Sequence, residues 1–431
     1  MISKTDQTRA LVLSTSAFTV CFAIWTIFSI LGIQIKEDLS LNDTQFALLV
    51  ATPILTGALS RLILGIWTDQ YGGRIVMTLT MLSSAIATYL LSSVETYEMF
   101  LLAALGVGLA GGCFAAGIAY VSTWYEKEKQ GTALGIFGVG NVGAAITNFG
   151  APFIMLALGW HGLAKTYAII MFVTAILFYL LAKNDPKIVA RKTKKEKPRS
   201  ILQQLQPLKK LQVWRFSLYY FFVFGAFVGV YGLDIKIAGM LAAVYALPGS
   251  AFRALGGWIS DKIGARAVMY WTFIACVGCC FFMSYPSTDY IVEGIEGPID
   301  FNIKINLPIF VFLSIVLGFF MSLGKAAVYK HIPVYYPKNV GSVGGIVGLI
   351  GGMGGFILPI CFGIMNDFTG VFTSCFMLLF AITGIALVWM HVSILIMEKD
   401  IVKSKFLPEL DKIKQEGTRK TSKYKKSYTS Y

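Results

Sequence analysis

Long apolar runs broken by short polar ones recur along almost the whole chain, from Leu11 to about residue 398. Most approach or exceed the roughly 20 helical residues that cross a hydrocarbon layer about 30 Å thick. The pattern predicts twelve spans, at about 11–35, 44–68, 74–93, 98–125, 131–159, 164–183, 216–236, 239–261, 266–285, 307–331, 341–366 and 371–397. Alternating strands of about ten residues are absent, which argues against a transmembrane barrel. The first span is not read as a signal peptide. Its apolar stretch, Leu11–Ile33, exceeds an h-region of roughly 7–15 residues, and no small-residue cleavage site follows.

Composition agrees with an all-α membrane protein: 56% of residues are hydrophobic and 14% charged, against about 25% charged in soluble domains. Charge then orients the spans. From Lys183 to Arg215 lie eleven basic residues and two acidic ones, Asp185 and Glu196. That segment is expected on the cytoplasmic side. The tail from Lys399 carries ten more Lys or Arg, and the acidic stretch Ser287–Asn306 is expected outside. Twelve spans put both termini inside. The expected organisation is a six-helix bundle over 1–183, a basic linker over 184–215, a second bundle over 216–398 and a basic, disordered tail over 399–431. The net charge of +14 is a topology signal with some attraction to anionic membrane lipid, and no nucleic-acid partner is inferred.

All seven cysteines fall inside expected spans, so disulfides are not expected; the CVGCC of 276–280 reads as small-residue packing. The three histidines, His161, His331 and His391, are scattered and form no ligand set. No nucleophile, base and orienting group stand together, so neither an enzyme nor a cofactor is expected.

One arrangement occurs twice. SRLILGIWTDQYGGR at 60–74 and FRALGGWISDKIGAR at 252–266 align Arg61 with Arg253, Gly65 with Gly257, Asp69 with Asp261, Gly72 with Gly264 and Arg74 with Arg266, each pair 192 positions apart. The chain therefore reads as two pseudo-symmetric halves, the design of a transporter that rocks about a central site. The repeated GxxxDxxGxR resembles the loop signature of the major facilitator superfamily. Its glycines allow a tight turn, and its aspartates can accept hydrogen bonds from helix N-termini or arginines, which would latch one arrangement of the halves.

At 1.5 Å per residue Arg61 lies about 12 Å inward of Asp69, and Arg253 equally far from Asp261. A charge near mid-membrane costs at least ~2.5 to 3.5 kcal/mol, so it faces a cavity or a partner. Every Asp and Glu falls at or near an expected helix end, which leaves the two guanidiniums without carboxylates. An anion between them is the reading, and the planar guanidinium fork suits a planar oxyanion. Glycines at or close to helical spacing in 131–152 and 341–359 imply close backbones and a small substrate.

These glycine stretches resemble the paired signatures of the nitrate/nitrite porter family, over about residues 11–398. The resemblance implies that Arg61 and Arg253 hold the anion and that Asn141, in GVGNVG, is a polar contact. GGCFAAG at 111–117 offers Phe114 as an aromatic wall, and YFFVFGAF at 220–227 offers Tyr220 as a donor and Phe224 beside it. The implied substrates are nitrate and nitrite, moved by exchange or by proton-coupled uptake in the inner membrane by a monomer. One departure stands out: Leu11 precedes Arg61 by 50 positions, but Phe216 precedes Arg253 by 37. The seventh span is short, which predicts a distorted outer gate. A transporter of a larger organic or phosphorylated anion and a non-transporting anion sensor are the alternatives.

Overall fold

The computed structural model describes residues 3–196, 198–226, 235–303, 305–371 and 373–399, with backbone alone at 43, 225–226, 235–248 and 359. The first apolar run forms α1 (Lys4–Trp25) and α2 (Phe28–Asp38), parted at Thr26 and Ile27. There follow α3 (Asp43–Tyr71), α4 (Gly73–Leu91), α5 (Tyr97–Gly108) and α6 (Cys113–Ser122), the last two joined by a 3-10 turn at Leu109–Gly112. Next come α7 (Gln130–Gly138) and α8 (Gly143–Leu181), joined by the 3-10 turn Val139–Val142. The linker contains α9 (Pro186–Thr193) and α10 (Ile201–Leu205). Then α11 (Leu211–Tyr220) continues as a π-helix over Phe221–Ala226, and α12 (Ile235–Ile263), α13 (Ala265–Ser284), α14 (Leu307–Tyr335) and α15 (Val340–Thr369) follow. The last helix is α16 (Ser374–Lys399). Residues 1–384 make one compact unit; of the second, 385–431, the described part is the continuing α16.

Nine helical runs among the described residues are long and apolar enough to cross a membrane. One of them, Gln130–Leu181, holds two expected spans: Gly159 at φ 68° breaks it where the fifth should end. The seventh and eighth expected spans fall on α11 with its π-helical extension and on α12. Residues 227–234, on which the expected distortion of the outer gate turns, lie outside the described residues, as does the tail from 400. Large apolar side chains such as Leu79, Ile86, Leu102, Leu156 and Phe312 are exposed on the helices, as a surface solvated by lipid requires.

Local chemistry sets the helix ends. Asn42 accepts from the Gln45 amide while the Gln45 side chain accepts from the Asn42 amide, a reciprocal cap that starts α3. Asn306 caps α14 in the same sense through the Ile309 amide. Gly72 (φ 96°) and Gly264 (φ 91°) make the turns into α4 and α13, in a conformation that only glycine adopts cheaply.

Two glycine contacts of equivalent design hold the linker-side ends of the helices together. On α3, a Cβ at Gly345 of α15 would lie 2.6 Å from the Arg61 carbonyl oxygen. On α12, a Cβ at Gly135 of α7 would lie 2.6 Å from the Arg253 carbonyl oxygen. Gly65 and Gly341 meet backbone to backbone, and so do Gly257 and Gly131. The dense glycines of 131–152 and 341–359 thus bring α7 against α12 and α15 against α3, because no side chain keeps the backbones apart.

Besides the helices, the structure has one feature that the apolar runs do not reveal. The acidic stretch Ser287–Asn306 contains an antiparallel hairpin, β1 (Thr288–Gly294) and β2 (Gly297–Ile303), turning at Ile295 and Glu296. Tyr290, Ile291, Val292 and Ile299, Phe301, Ile303 are β-branched or aromatic and favour a pleated pair. Strands of seven residues are too short to stand out among apolar runs of twenty.

Candidate functional site

Arg61 and Arg253 are buried, at 1% and 0% exposure, and among the described residues no carboxylate lies within 4 Å of either. Neither points into lipid. Their surroundings differ, which the repeat does not reveal. Arg61 Nη1 donates to the Gly348 carbonyl at 2.7 Å and Nε to the Gly111 carbonyl at 3.2 Å, tying it to α15 and to the turn before α6. Arg253 has no hydrogen-bond partner at Nε, Nη1 or Nη2 among the described residues. The two guanidiniums are therefore not equivalent: carbonyls hold one, and the other keeps its donors unspent. A buried cation without acceptors is costly.

Aromatic rings surround both. The Phe114 ring centre lies 5.4 Å from Arg61 Cζ and 4.9 Å from Arg253 Cζ. Phe224 is 5.0 Å from Arg61 Cζ, and Tyr329 5.9 Å from Arg253 Cζ. Tyr220 stacks between Phe114 (6.1 Å) and Phe224 (5.2 Å) and meets Tyr329 edge-on at 4.7 Å. Ring faces attract the guanidiniums without neutralising them. The Tyr220 hydroxyl lacks a hydrogen-bond partner, as does Asn141 Oδ1. Since an amide can present either end, Asn141 offers an acceptor or a donor. The structure thus brings Arg61, Arg253, Phe114, Tyr220 and Phe224 into one cluster. Asn141 stands three residues beyond Gly138, where a Cβ would collide with Arg253 Nε.

The two loop aspartates bind helix N-termini, each of the partner half. Asp69 accepts from the amides of Gly341 (3.1 Å) and Ser342 (3.0 Å) at the start of α15. Asp261 accepts from the amides of Gly131 (2.9 Å) and Thr132 (2.6 Å) at the start of α7, and from the Thr132 hydroxyl (2.7 Å). Both caps satisfy orphan donors and meet the positive end of a helix dipole. Among the described residues no arginine donates to either carboxylate. Arg74 donates to the Tyr179 carbonyl at 2.9 and 2.7 Å and to Asn184 at 3.4 Å, and Arg266 donates to the Tyr335 hydroxyl at 3.0 Å. Arg74 thus reaches the end of α8 and Arg266 the end of α14. Asp261 instead pairs with Lys330 at 2.5 Å.

A family model described as Major Facilitator Superfamily matches residues 13–292 and 229–426. The chain belongs to this superfamily. Within it, the resemblance to nitrate/nitrite porters is borne out. The protein named "Probable nitrate/nitrite antiporter NarK1" of Thermus thermophilus is 39% identical over 90% of this chain and 92% of its own length. The "Nitrite extrusion protein" of Bacillus subtilis is 27% identical over 86% of this chain and 91% of its own. Among solved structures, that of the human organic anion transporter MFSD10 superposes with a TM-score of 0.70 at 13% identity, covering 89% of this chain and 99% of that one. FucP, in the outward conformation, gives 0.64 at 14% identity over the same shares. At such identities these two speak for the fold alone.

This major facilitator also uses residues that the repeat does not mark. Trp25 packs 5.3 Å from Arg61 Cζ and donates to the Pro53 carbonyl, in a slot that Gly57 and Gly111 leave open. Phe18, Phe22 and Trp25 share one face by helical spacing, a signal the sequence did contain. Linker residues bridge the loops on both sides. Arg191 donates to the Asp69 and Gln70 carbonyls, Lys187 to the Pro337 carbonyl (3.0 Å) and Arg199 to Asn339 Oδ1 (3.0 Å). Nothing in a basic linker singles these three out. Asp185 accepts from the Gly73 amide at 2.7 Å, and its burial pushes its carboxyl up to about 7.

Proposed function

We propose that the chain transports nitrate and nitrite across the inner membrane by alternating access, as a monomer, with one anion held between Arg61 and Arg253. The linker and both termini face the cytoplasm in this reading, because the basic segments obey the positive-inside preference. The observation that carries it is Arg253, fully buried with three donor nitrogens unsatisfied beside the equally unsatisfied Tyr220 hydroxyl. A planar monovalent anion accepts from both groups, leaves Arg61 on its carbonyls and lies among rings that exclude water. Relatives named as nitrate or nitrite transporters support the choice of anion.

Alternation follows from the latch. With Asp69 and Asp261 capping α15 and α7, the glycine contacts close the linker side of the chamber. Opening that side must break both caps and separate Gly65 from Gly341 and Gly257 from Gly131. Gly72 and Gly264 hold the turns that carry the aspartates, and Arg74 and Arg266 brace those turns against their own halves. Two permanent cations hold about +1 with a monovalent anion bound and +2 without one. Counting these two alone, the loaded form rocks more readily, which favours exchange of one anion for another.

Liposomes containing the purified chain test the proposal. Saturable uptake of isotopic nitrate is expected, with competition by nitrite and none by organic phosphates. Uptake that survives in Arg253→Ala at the wild-type rate would reject the two-arginine site.

A further inference from the structure

The hairpin of 288–303 has two unlike faces. Alternate residues of a strand point to opposite sides, and directly paired residues share a side. The pairs Tyr290–Phe301 and Val292–Ile299, with Ile303 opposite Thr288, therefore make one apolar face. On it the Tyr290 and Phe301 rings stack at 6.2 Å. The other face carries Asp289, Glu293 and Asp300, and Asn302 donates to Asp289 across the pair, in keeping with the alternation. The five large side chains of the apolar face are all exposed, at 38–50%. Two strands alone are marginal in water, and an apolar patch of this kind needs a cover.

The way the hairpin is held selects that cover. Helix α13 starts at Gly264 on the linker side and, with 20 residues, rises about 30 Å, the thickness of the hydrocarbon layer. Helix α14 runs back to the linker side, where the Tyr335 hydroxyl accepts from Arg266. The hairpin is thus slung between two helix ends at the membrane boundary opposite the linker. Three residues at each end, 285–287 and 304–306, give a reach of about 10 Å when fully extended. Its base cannot leave the headgroup zone. The helix ends that it joins already present a lipid-solvated surface, with Phe281 and Phe282 of α13 and Leu307 and Phe312 of α14 exposed. The apolar face follows that surface directly along the chain. Charge argues against a second copy as the cover. Residues 288–303 hold four carboxylates, those of Asp289, Glu293, Glu296 and Asp300, and no Lys or Arg, so two hairpins repel one another where a zwitterionic lipid surface does not.

We propose that the hairpin is an interfacial anchor: it lies on the membrane surface opposite the linker, with Tyr290, Val292, Ile299, Phe301 and Ile303 against lipid and its carboxylates in water. It ties the adjoining ends of α13 and α14 to the headgroup layer, apart from any role of the anion site.

The full chain in phosphatidylcholine liposomes tests this, with a nitroxide label on Val292→Cys or Ile299→Cys for one face and on Asp289→Cys or Asp300→Cys for the other. The unsubstituted chain, whose own cysteines are buried or half-buried, supplies the background. Relative to a water-soluble nickel chelate, oxygen should collide about tenfold more with labels at 292 and 299 than with those at 289 and 300, as immersion of one face by roughly 5–10 Å implies. Equal access of the chelate to both faces would overturn the proposal, because the hairpin then stands free in water. Labels at 292 and 299 shielded from oxygen and chelate alike would overturn it too, in favour of a protein cover, and dipolar broadening between them would identify that cover as a second copy. A further measurement needs no variant: phosphatidylcholine carrying a photoreactive group near its headgroup should form adducts within 288–303 of the unsubstituted chain. Adducts confined to the helices would overturn the anchor.

Discussion

Arg61 and Arg253 share one aromatic ring, Phe114, whose centre lies 5.4 Å from the first guanidinium carbon and 4.9 Å from the second. Phe114 thereby holds two like charges in one small volume without cancelling either. Each contact contributes about 0.5–2 kcal/mol when desolvated. Phe114→Leu should weaken nitrate binding about tenfold, for roughly 1.4 kcal/mol. Nitrate calorimetry on the variant checks this.

The unequal surroundings of the two arginines predict unequal variants. Arg253→Lys exchanges three open donors for a compact ammonium and should weaken nitrate binding by about 1.5–3 kcal/mol, the range for hydrogen bonds to charged groups. Arg61→Lys should damage the fold as well, because the Gly111 and Gly348 carbonyls lose a fork that spans them. Thermal unfolding alongside nitrate binding separates the two effects: Arg253→Lys should melt near the wild type and Arg61→Lys below it.

Closure of the linker side depends on backbone contact. A Cβ at Gly135 or Gly345 would sit 2.6 Å from a carbonyl oxygen on the facing helix, too close for any side chain. Gly345→Ala and Gly135→Ala should therefore prop that side open. Reagents that label cysteines placed on α3 or α12 near these contacts should react at least tenfold faster in the alanine variants. Equal labelling would contradict the packing.

The two latches should respond differently to charge removal. Asp261 binds Lys330 as well as the start of α7, whereas Asp69 binds the start of α15 beneath the linker. A double-mutant cycle of Asp261→Asn with Lys330→Met should return a coupling of about 1–3 kcal/mol in unfolding free energy, as for neighbours in one network.

Asp185 gives the stability a pH dependence of defined sign. Its folded-state value of about 7 lies above the unfolded value near 3.9, so between these the folded chain binds the extra proton. Stability contributed by protonated Asp185 is present at acid pH and lost as pH rises through that window, at most about 1.4 kcal/mol per pH unit. Asp185→Asn cannot ionise and can still accept from the Gly73 amide. The melting temperature of the wild type relative to this variant should fall between pH 5 and pH 8.

The membrane class, the recurrence of long apolar helices, the internal repeat and the two arginines were legible in the sequence, because each rests on a local rule. Lipid demands about twenty apolar residues per crossing, a glycine turn needs its glycine, and a charge far from any helix end stands out in apolar surroundings. The hairpin at 288–303 was missed because its strands are short beside those runs. Only the tertiary structure decided that Arg61 is tied to carbonyls while Arg253 keeps its donors open, and that the loop aspartates cap α15 and α7 rather than bind Arg74 or Arg266. It also brought Tyr329 and Lys325 to the arginines from a distant helix. These outcomes depend on which backbone group meets which side chain across 100 to 300 residues, and a helical pattern gives a residue's depth and face but not the neighbour it meets.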